Sequence, residues 1–437
     1  MLMVEKAPKY PLHKLRENIS SSEKKIWENK ELIHKINNDY LYWDKVKYLK
    51  FNNWDNEEAW FEIKFRRSLR GIRYYFCGLK IVFDYNLNDQ LLQKLHYLDF
   101  NFGAGLQKEE LLSDLDKQQY LKNALMEESI FSSMIEGATT TRIKAKEMLR
   151  KKAKPRNKSE QMILNNYQAI QYISENQDSD ISLEKLFEIH QIVTKNTIEN
   201  RHVGVLRSTD DVHIMNEITG EIVHTPPPYE ELDELMQSFC EFFNSNPKEN
   251  FIHPIVKASI LHFLVGYIHP FYDGNGRTAR ALFYWYLLKN GYWLTEYLSI
   301  SRVIMETKTQ YEKAYIYTEI DDMDVTYFIH YQVKVLTKAF EDLKDYIAKK
   351  KEQRKDLSKF FKINGINERQ AQVLFWLEKD SNRFFTVKEI ETIFSITNQT
   401  ARTDLEELVE KGFMKKIALN KKASNYWKGD DFDRLLP

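Results

Sequence analysis

His269-Pro270-Phe271-Tyr272-Asp273-Gly274-Asn275-Gly276-Arg277-Thr278-Ala279-Arg280 is the stretch on which the reading of this chain turns. The apolar run Ile255–Ile268 ahead of it has the length of a helix and ends at His269. Pro270 disfavours the α region at the residue before it and so breaks that helix. Gly274 and Gly276 alternate around Asn275 in a tight loop, and a second helix is predicted to begin near Gly276 and run through Arg280 to Leu288. Backbone N–H groups of a glycine-rich loop that converge on a helix N-terminus make an anion site. Arg277 and Arg280, three apart on the new helix, share a face near its positive end. Two guanidinium forks beside such a nest suit a polyphosphate. Asp273 offers a carboxylate at the loop's mouth, where Mg2+ bridging phosphates takes one or two protein ligands. His269, at the loop's other end, can accept a proton from an attacking hydroxyl near neutral pH. Singly, each residue has an ordinary structural explanation, since histidines end helices and Asp-Gly-Asn-Gly is a turn sequence. Their joint spacing singles the segment out.

The segment matches every fixed position of the Fic-family signature His-Pro-Phe-x-Asp-Gly-Asn-Gly-Arg-x-x-Arg. Its surroundings resemble the family too, from Gly204-Val-Leu-Arg207 and Pro226–Pro228 to His253-Pro254 and Ser299–Tyr315, so the likeness runs over residues 120–335. The resemblance implies a protein AMP-transferase. His269 would deprotonate a Ser, Thr or Tyr hydroxyl of a target protein, which attacks the α-phosphate of ATP and releases pyrophosphate. Asp273 would hold Mg2+ on the α- and β-phosphates. Asn275 and the N–H groups of Gly274 and Gly276 would hold phosphate oxygens, Arg277 the β-phosphate and Arg280 the γ-phosphate. The segment Asp211–Thr225, with His213, Ile214, Val223, His224 and Thr225, would be a flap that pairs with the target's backbone as an added strand. Tyr311 and Tyr315 are candidates for the adenine pocket, with ordinary helix packing an equal alternative.

A second motif lies upstream, Ser132-Ser-Met-Ile-Glu136-Gly137. It ends an amphipathic helix with Gly137 as the residue after the cap. A carboxylate in the last turn faces the unfavourable end of the helix dipole, so Glu136 gains from a cationic partner. Ser-x-x-x-Glu-Gly resembles the inhibitory helix of Fic proteins, and the resemblance implies that Glu136 pairs with Arg280 and blocks the γ-phosphate. It leaves open whether Glu136 also supports AMP removal, whether the chain modifies itself, and whether a homodimer governs the inhibitory helix.

Composition narrows the alternatives. The 437 residues suggest two or three domains, and 43% hydrophobic against 29% charged residues supports packed cores. Formal net charge is zero, which gives no whole-chain attraction to nucleic acid or membrane, and the basic clusters Lys144–Arg156 and Lys411–Lys422 read as solvated faces. Cys77 and Cys240 lie far apart without metal-ligand spacing, as expected in a reducing compartment. The first residues lack a signal-peptide pattern and no apolar run reaches membrane-spanning length, so a cytoplasmic location is expected.

The predicted architecture is mainly α. Residues 1–105 form a mixed region of unknown role, with a charged helical start and β-rich Ile72–Phe76 and Lys80–Tyr85. Residues 106–345 form a helical bundle with its inhibitory helix near 121–137, interrupted by a hairpin of Val212–Met215 and Glu221–Thr225 around Ile218-Thr-Gly220. Pro226–Pro228 stops the second strand. A linker at 346–363 leads to residues 364–437, whose helix, helix, helix and strand pair resemble a winged helix-turn-helix. Its third helix, Asn398–Lys411, carries Asp404, Glu406, Glu407 and Glu410 against Arg402 and Lys411, which disfavours DNA phosphate. Two other functions stay open: transfer of a phosphate or a different nucleotide moiety, and a nucleotide-responsive regulator that binds DNA or protein through this tail.

Overall fold

The computed structural model describes residues 4–9, 19–101, 114–215, 220–246, 248, 250–394, 396–418 and 424–436. It divides into two compact units, residues 1–107 with 123–341, and residues 108–122 with 342–437. In chain order the first part holds helices α1 (Ile19–Glu28), α2 (Lys30–Asn38), α3 (Trp43–Val46) and α4 (Asn56–Arg70), the hairpin β1 (Ile72–Phe76) and β2 (Ile81–Tyr85), and α5 (Asp89–Asp99). Then come α6 (Asp114–Ile135), α7 (Arg142–Arg150), α8 (Lys158–Glu175), α9 (Leu183–Thr194), strands β3 (Ile214–Met215) and β4 (Ile222–His224), and α10 (Leu232–Asn244). The helices α11 (Pro254–Ile268), α12 (Asn275–Lys289), α13 (Ile300–Glu306), α14 (Lys308–Ile320) and α15 (Thr326–Phe361) follow. The tail has α16 (Glu368–Lys379), β5 (Phe384–Phe385), α17 (Val387–Phe394), α18 (Asn398–Glu410), β6 (Met414–Ala418), β7 (Ser424–Lys428) and α19 (Phe432–Leu435).

The first unit is built round α11 and α12, which pack against each other more extensively than any other pair. α11 is buried on every side, as a helix at the middle of a bundle must be. Pro254 stands in its first turn, where no N–H partner is needed, and His253 Nδ1 accepts the Ile255 N–H. Its one buried cation, Lys257, donates to Ser245 Oγ at 2.7 Å and lies 5.0 Å from the Phe242 ring centre. Burial brings that ammonium's pKa down to about 8.

The amino-terminal residues are part of this unit, not a region set apart. Asp84 N–H donates to Met323 O and Val325 N–H to Asp84 O, so β2 also pairs with the turn before α15. Beside it, Tyr40 donates to Asp324 at 2.6 Å and Lys64 to Asp321 at 2.7 Å. Arg67, 5% exposed, donates to Asn37 Oδ1, to Ile36 and Leu41 carbonyls and to Tyr327 Oη. A buried guanidinium keeps its charge, so it is tolerated only with such a full set of acceptors.

The second unit's core is drawn from Leu374, Leu377, Phe385, Ile390, Leu405, Leu408, Phe413 and Tyr426. Asn367 and Gln370 form a reciprocal capping box on α16. Thr397 caps α18, accepting the Thr400 N–H on its side chain, and Gly412 follows the helix with φ +83°. The strand β5 and the short α19 were not legible, and the sheet has three strands in the order β5-β7-β6. The stretch expected as a linker is helical through Phe361, because apolar Phe340, Leu343 and Ile347 keep the helical period past residue 345. Among the described residues no helix is long and apolar enough to cross a membrane.

Arg67→Met removes the donors that satisfy two buried carbonyls and Tyr327. Urea unfolding should show the first unit destabilised by roughly 2–5 kcal/mol. Arg66→Met, whose partner is the neighbouring-turn Glu62, should stay within about 0.5 kcal/mol of wild type.

Candidate functional site

The loop starts where α11 stops. His269 is the helix's left-handed last residue (φ 48°, ψ 58°), and its N–H closes on Val265 O. A non-glycine residue in this conformation costs on the order of 1 kcal/mol, so the neighbouring structure must hold it there. Arg207 does much of this. Its N–H donates to Pro270 O and its Nε to His269 O at 3.1 Å, while its other nitrogens reach Thr209 O, Asp210 and Pro227 O. His269 Nδ1 lies 3.3 Å from Gly266 O. A carbonyl only accepts, so Nδ1 carries the proton and Nε2 the lone pair. Burial, above all, takes this imidazole's pKa down to about 4.

The glycine-rich loop is shaped from outside. His190 on α9 donates from Nε2 to Asp273 O at 2.8 Å and accepts the Gly204 N–H on Nδ1 at 2.9 Å. Its ring stacks on Phe271 with centroids 3.8 Å apart. Both bonds require the neutral Nε2–H tautomer, and burial secures it by bringing the pKa down to about 4. A Cβ on Gly274 would lie 2.7 Å from the Thr194 methyl, and its φ is +88°. A Cβ on Gly276 would lie 2.1 Å from Glu136 Oε1. The two glycines therefore admit different neighbours, one the wall of α9 and the other a carboxylate.

Asn275 departs from expectation. Its Oδ1 accepts the Phe271 N–H at 2.9 Å and its Nδ2 donates to Phe271 O at 2.7 Å. The side chain closes the loop on itself instead of facing a ligand, and only its backbone N–H at the helix start is left for an anion. Arg277 is likewise turned inward, 1% exposed, donating to Val193 O at 2.7 Å and to Asp273 Oδ1 at 3.2 Å. Thus the arginines three residues apart serve different neighbours. Asp273 Oδ1 also accepts the Gly274 N–H, and the side chain is half-exposed.

Arg280 meets α6. It donates from Nε to Ser132 Oγ at 2.8 Å, from Nη2 to Ser132 O at 2.9 Å, and from Nη2 to Glu136 Oε1 at 3.0 Å. α6 ends in a Schellman turn that aims Glu136: Ala138 N–H bonds Ser133 O, Gly137 N–H bonds Met134 O, and Gly137 has φ +87°. Burial opposes the guanidinium's charge, while Glu136, Tyr311 and Glu128 favour it and raise its pKa. Glu128 is buried, accepts from Ser301 N–H at 2.8 Å and from its hydroxyl, and has its pKa raised by burial. Among the described residues Arg280 Nη1 and Arg277 Nε are buried without a hydrogen-bond partner. Orphaned buried donors beside an anion nest are what a phosphate would satisfy.

The hairpin is shorter than predicted: Ile214 pairs with His224 and Met215 with Ile222, while Val212, His213 and Thr225 lie outside the strands. Part of the predicted turn, residues 216–219, lies outside the described residues. His213 and Thr225 are exposed and Ile214 and Val223 half-buried. His224 is not on the outer face. It is buried, bonded to Glu319 on α14 and to Tyr267 O on α11, each at 2.7 Å, because β4 lies close on the bundle. Tyr311 Oη is 2.9 Å from His262 Nε2, and Tyr315 packs its ring on Phe263 with its hydroxyl against Gly266. Both tyrosines are thus tied into helix packing. His190, Glu128 and His262 escaped the sequence reading, which named Arg207 only as part of the segment before the hairpin. Their signal was only a polar residue within an apolar run.

Residues 180–287 match the Fic/DOC family, and residues 369–418 match the DeoR-like helix-turn-helix domain. The chain is 30% identical over 184 residues to protein adenylyltransferase Fic of Nematostella vectensis, covering 41% of each chain. It is 31% identical over 176 residues to the Drosophila grimshawi protein of the same name, covering 39% of this chain and 34% of that one. The chain therefore spans well under half the length of these curated relatives. A crystal structure of a Fic family protein from Desulfovibrio desulfuricans G20 has the same fold, with TM-score 0.52, 16% identity, and coverage of 79% of this chain and 98% of that one.

His190→Phe keeps the stacking plane and removes both hydrogen bonds, leaving Gly204 N–H and Asp273 O unpaired. We expect a lower urea midpoint for the first unit, at roughly 1–3 kcal/mol per orphaned group. His202→Phe, which keeps a ring to stack on Tyr272 and removes no side-chain hydrogen bond of this loop, should leave it in place. Stability should also depend on pH through His190. Unfolded, the ring binds a proton near its usual 6.5, whereas folded it does so only near 4. The unfolded state thus holds more protons between these values, so stability falls as pH is lowered through that window, by up to about 1.4 kcal/mol per unit. Unfolding curves from pH 7 to pH 4.5 check this, with a flatter dependence in His190→Phe.

Proposed function

We propose that this chain, residues 180–287 of which match the Fic/DOC family, transfers AMP from ATP to a protein hydroxyl and is held in check by Glu136. The observation that carries the reading is the Glu136 carboxylate lying over Gly276 and bonded to Arg280, where the last phosphate of a nucleotide on this loop would come.

In the proposed reaction the N–H groups of Asn275 and Gly276 receive phosphate oxygens, while that of Gly274 stays on Asp273, and Arg280, once released by Glu136, takes the γ-phosphate. Nε2 of His269 removes the hydroxyl proton as the hydroxyl oxygen bonds to the α-phosphorus, and the bond from that phosphorus to the bridging oxygen breaks to free pyrophosphate. Asp273 Oδ2 fits Mg2+, which asks little of a protein when phosphates and water supply its other ligands. When bound, that ion offsets phosphate charge. Arg277 acts at one remove by bracing Asp273. The edge β3–β4, with exposed Met215 and Ile222, supports strand addition by a target.

The test is intact mass after incubation of wild type, Glu136→Gly and Glu136→Gly/His269→Ala with Mg2+ and ATP, the chain itself serving as acceptor. Freeing one charge-assisted bond for the nucleotide should raise AMP transfer roughly 10–100-fold in the single variant. The double variant should carry no adduct. Equal adduct in wild type and Glu136→Gly overturns the inhibitory role, and label from the γ-phosphate in the product would establish phosphate transfer instead. Decay of the adduct on adding wild type would assign AMP removal to Glu136. Because the base works only when deprotonated, and its pKa is near 4, activity of Glu136→Gly should stay level from pH 8 to about pH 5 and fall below. A fall centred at pH 6.5 would contradict a buried, neutral His269.

A second reading concerns the tail. Three of the four acids of α18 that argued against nucleic acid are turned to their own domain, Glu410 alone staying exposed at the helix's far end: Asp404 holds Arg369 and Asn367, Glu406 holds Lys416 and Tyr426, and Glu407 accepts from Gln370. Exposed on the helix's first turns are Asn398, Gln399, Arg402 and Thr403. This supports contact with duplex DNA alongside catalysis. Retardation of duplex by the full chain should weaken steeply with salt and be lost in Arg402→Glu.

A further inference from the structure

A cavity of about 710 Å3 lies within the first unit, where residues 39–45 and Lys94 meet α14 and α15. It is distinct from the loop site: α14 turns Tyr311 and Tyr315 toward α11, and Gln310, Lys313 and Tyr317 toward this cavity. Its size is that of pockets holding small molecules, roughly 300–1,000 Å3.

The charge on its wall is one-sided. Lys45, Lys94, Lys313 and Lys334 line it against the single carboxylate of Asp39. Lys313 and Lys45 both look to Asp44, at 3.1 and 3.9 Å. Among the described residues no carboxylate lies within ion-pair distance of Lys94 or Lys334, and Lys334 reaches only Gln310 Oε1 at 3.4 Å. Burial first, and Lys334 next, hold the Lys94 ammonium below its usual pKa, although Asp39 and Glu341 pull the other way. Beside them His330 stacks on Tyr40 at 5.3 Å, with Nε2 buried and unpartnered. Its pKa is brought down to about 3 by burial and by the charges of Lys94 and Arg67. Two like charges share this wall, Lys94 half-buried and Lys334 exposed, with Asp39 the one lining carboxylate and a neutral imidazole and tyrosine rings next to them, a setting that favours an added anion.

We infer that this cavity binds a small phosphate-bearing molecule, the phosphate held between Lys94 and Lys334 and its body lying along the wall of Tyr331 and Tyr317. The inference goes beyond the proposed transfer reaction and does not depend on it.

Lysine acetylation of the full chain, read residue by residue by mass spectrometry, tests it, with inorganic phosphate, AMP and chloride compared at equal ionic strength. At ten times its dissociation constant a ligand of this site should slow labelling of Lys94 and Lys334 about tenfold, and chloride should not. Lys334→Gln should abolish protection at Lys94, and Lys94→Gln protection at Lys334, which separates this cavity from phosphate bound at the His269 loop. AMP protecting at lower concentration than phosphate identifies a nucleotide-like ligand, and equal concentrations identify phosphate itself. Labelling of Lys94 that phosphate and AMP change no more than chloride does, or protection that survives Lys334→Gln, overturns the inference.

Discussion

A guanidinium that is 3% exposed has to find its acceptors where it stands, because burying an unpaired charge costs several kcal/mol. Arg280 is in that position, and the structure around it can be understood as the supply of those acceptors. Ser132 provides a hydroxyl and a carbonyl and Glu136 a carboxylate, all from the last turn of α6. The Schellman turn at Gly137 points Glu136 across, and the missing side chain at Gly276 makes room for it. A carboxylate at a helix's C-terminus is badly placed for its own helix, but here it stands by the N-terminus of α12, where the dipole favours it. The same pairing covers a donor, Nη1, that is left without a partner. An arrangement that is satisfied on one side and orphaned on another suits a position where one anion gives way to a second.

The loop before Arg280 is held by elements distant in sequence. His190 fixes the Asp273 carbonyl from α9, Arg207 fixes the carbonyl of His269 from the segment before the hairpin, and Arg277 fixes Asp273 and the end of α9. Each is buried and acts through hydrogen bonds whose geometry depends on one protonation state or one fork orientation. The result is a set of backbone N–H groups and a neutral imidazole already in place, so that little reorganisation is left for a reaction to bring about.

How much of this could be read beforehand follows from distance along the chain. The residues 269–280 are contiguous, so the helix break, the loop and the helix start were all legible. The Glu136 partner was legible in part, since a carboxylate on the wrong end of a helix asks for a cation, and the family resemblance named which one. The direction of a side chain was not. Asn275 and Arg277 are polar residues in a phosphate-type loop, yet one closes the loop and the other braces it, because the backbone they sit on turns them inward. His224 is on the hairpin's second strand, where it was placed, but its ring turns inward to Glu319 and Tyr267 O. Pairings such as Asp84 with residues 323–325, or Tyr40 with Asp324, join segments over two hundred residues apart and leave no periodic trace. They are the reason that residues 1–107 belong to the same unit as the site.

The central claim is that Glu136 and a nucleotide's terminal phosphate compete for Arg280. Its most direct measurement is the affinity of His269→Ala, which cannot turn over, for ATP and for AMP, with and without Glu136→Gly. The account predicts that Glu136→Gly tightens ATP by roughly 10-fold or more, the worth of one charge-assisted bond, and leaves AMP unchanged because AMP has no phosphate at Arg280. Equal gains for both nucleotides, or none for ATP, would contradict it.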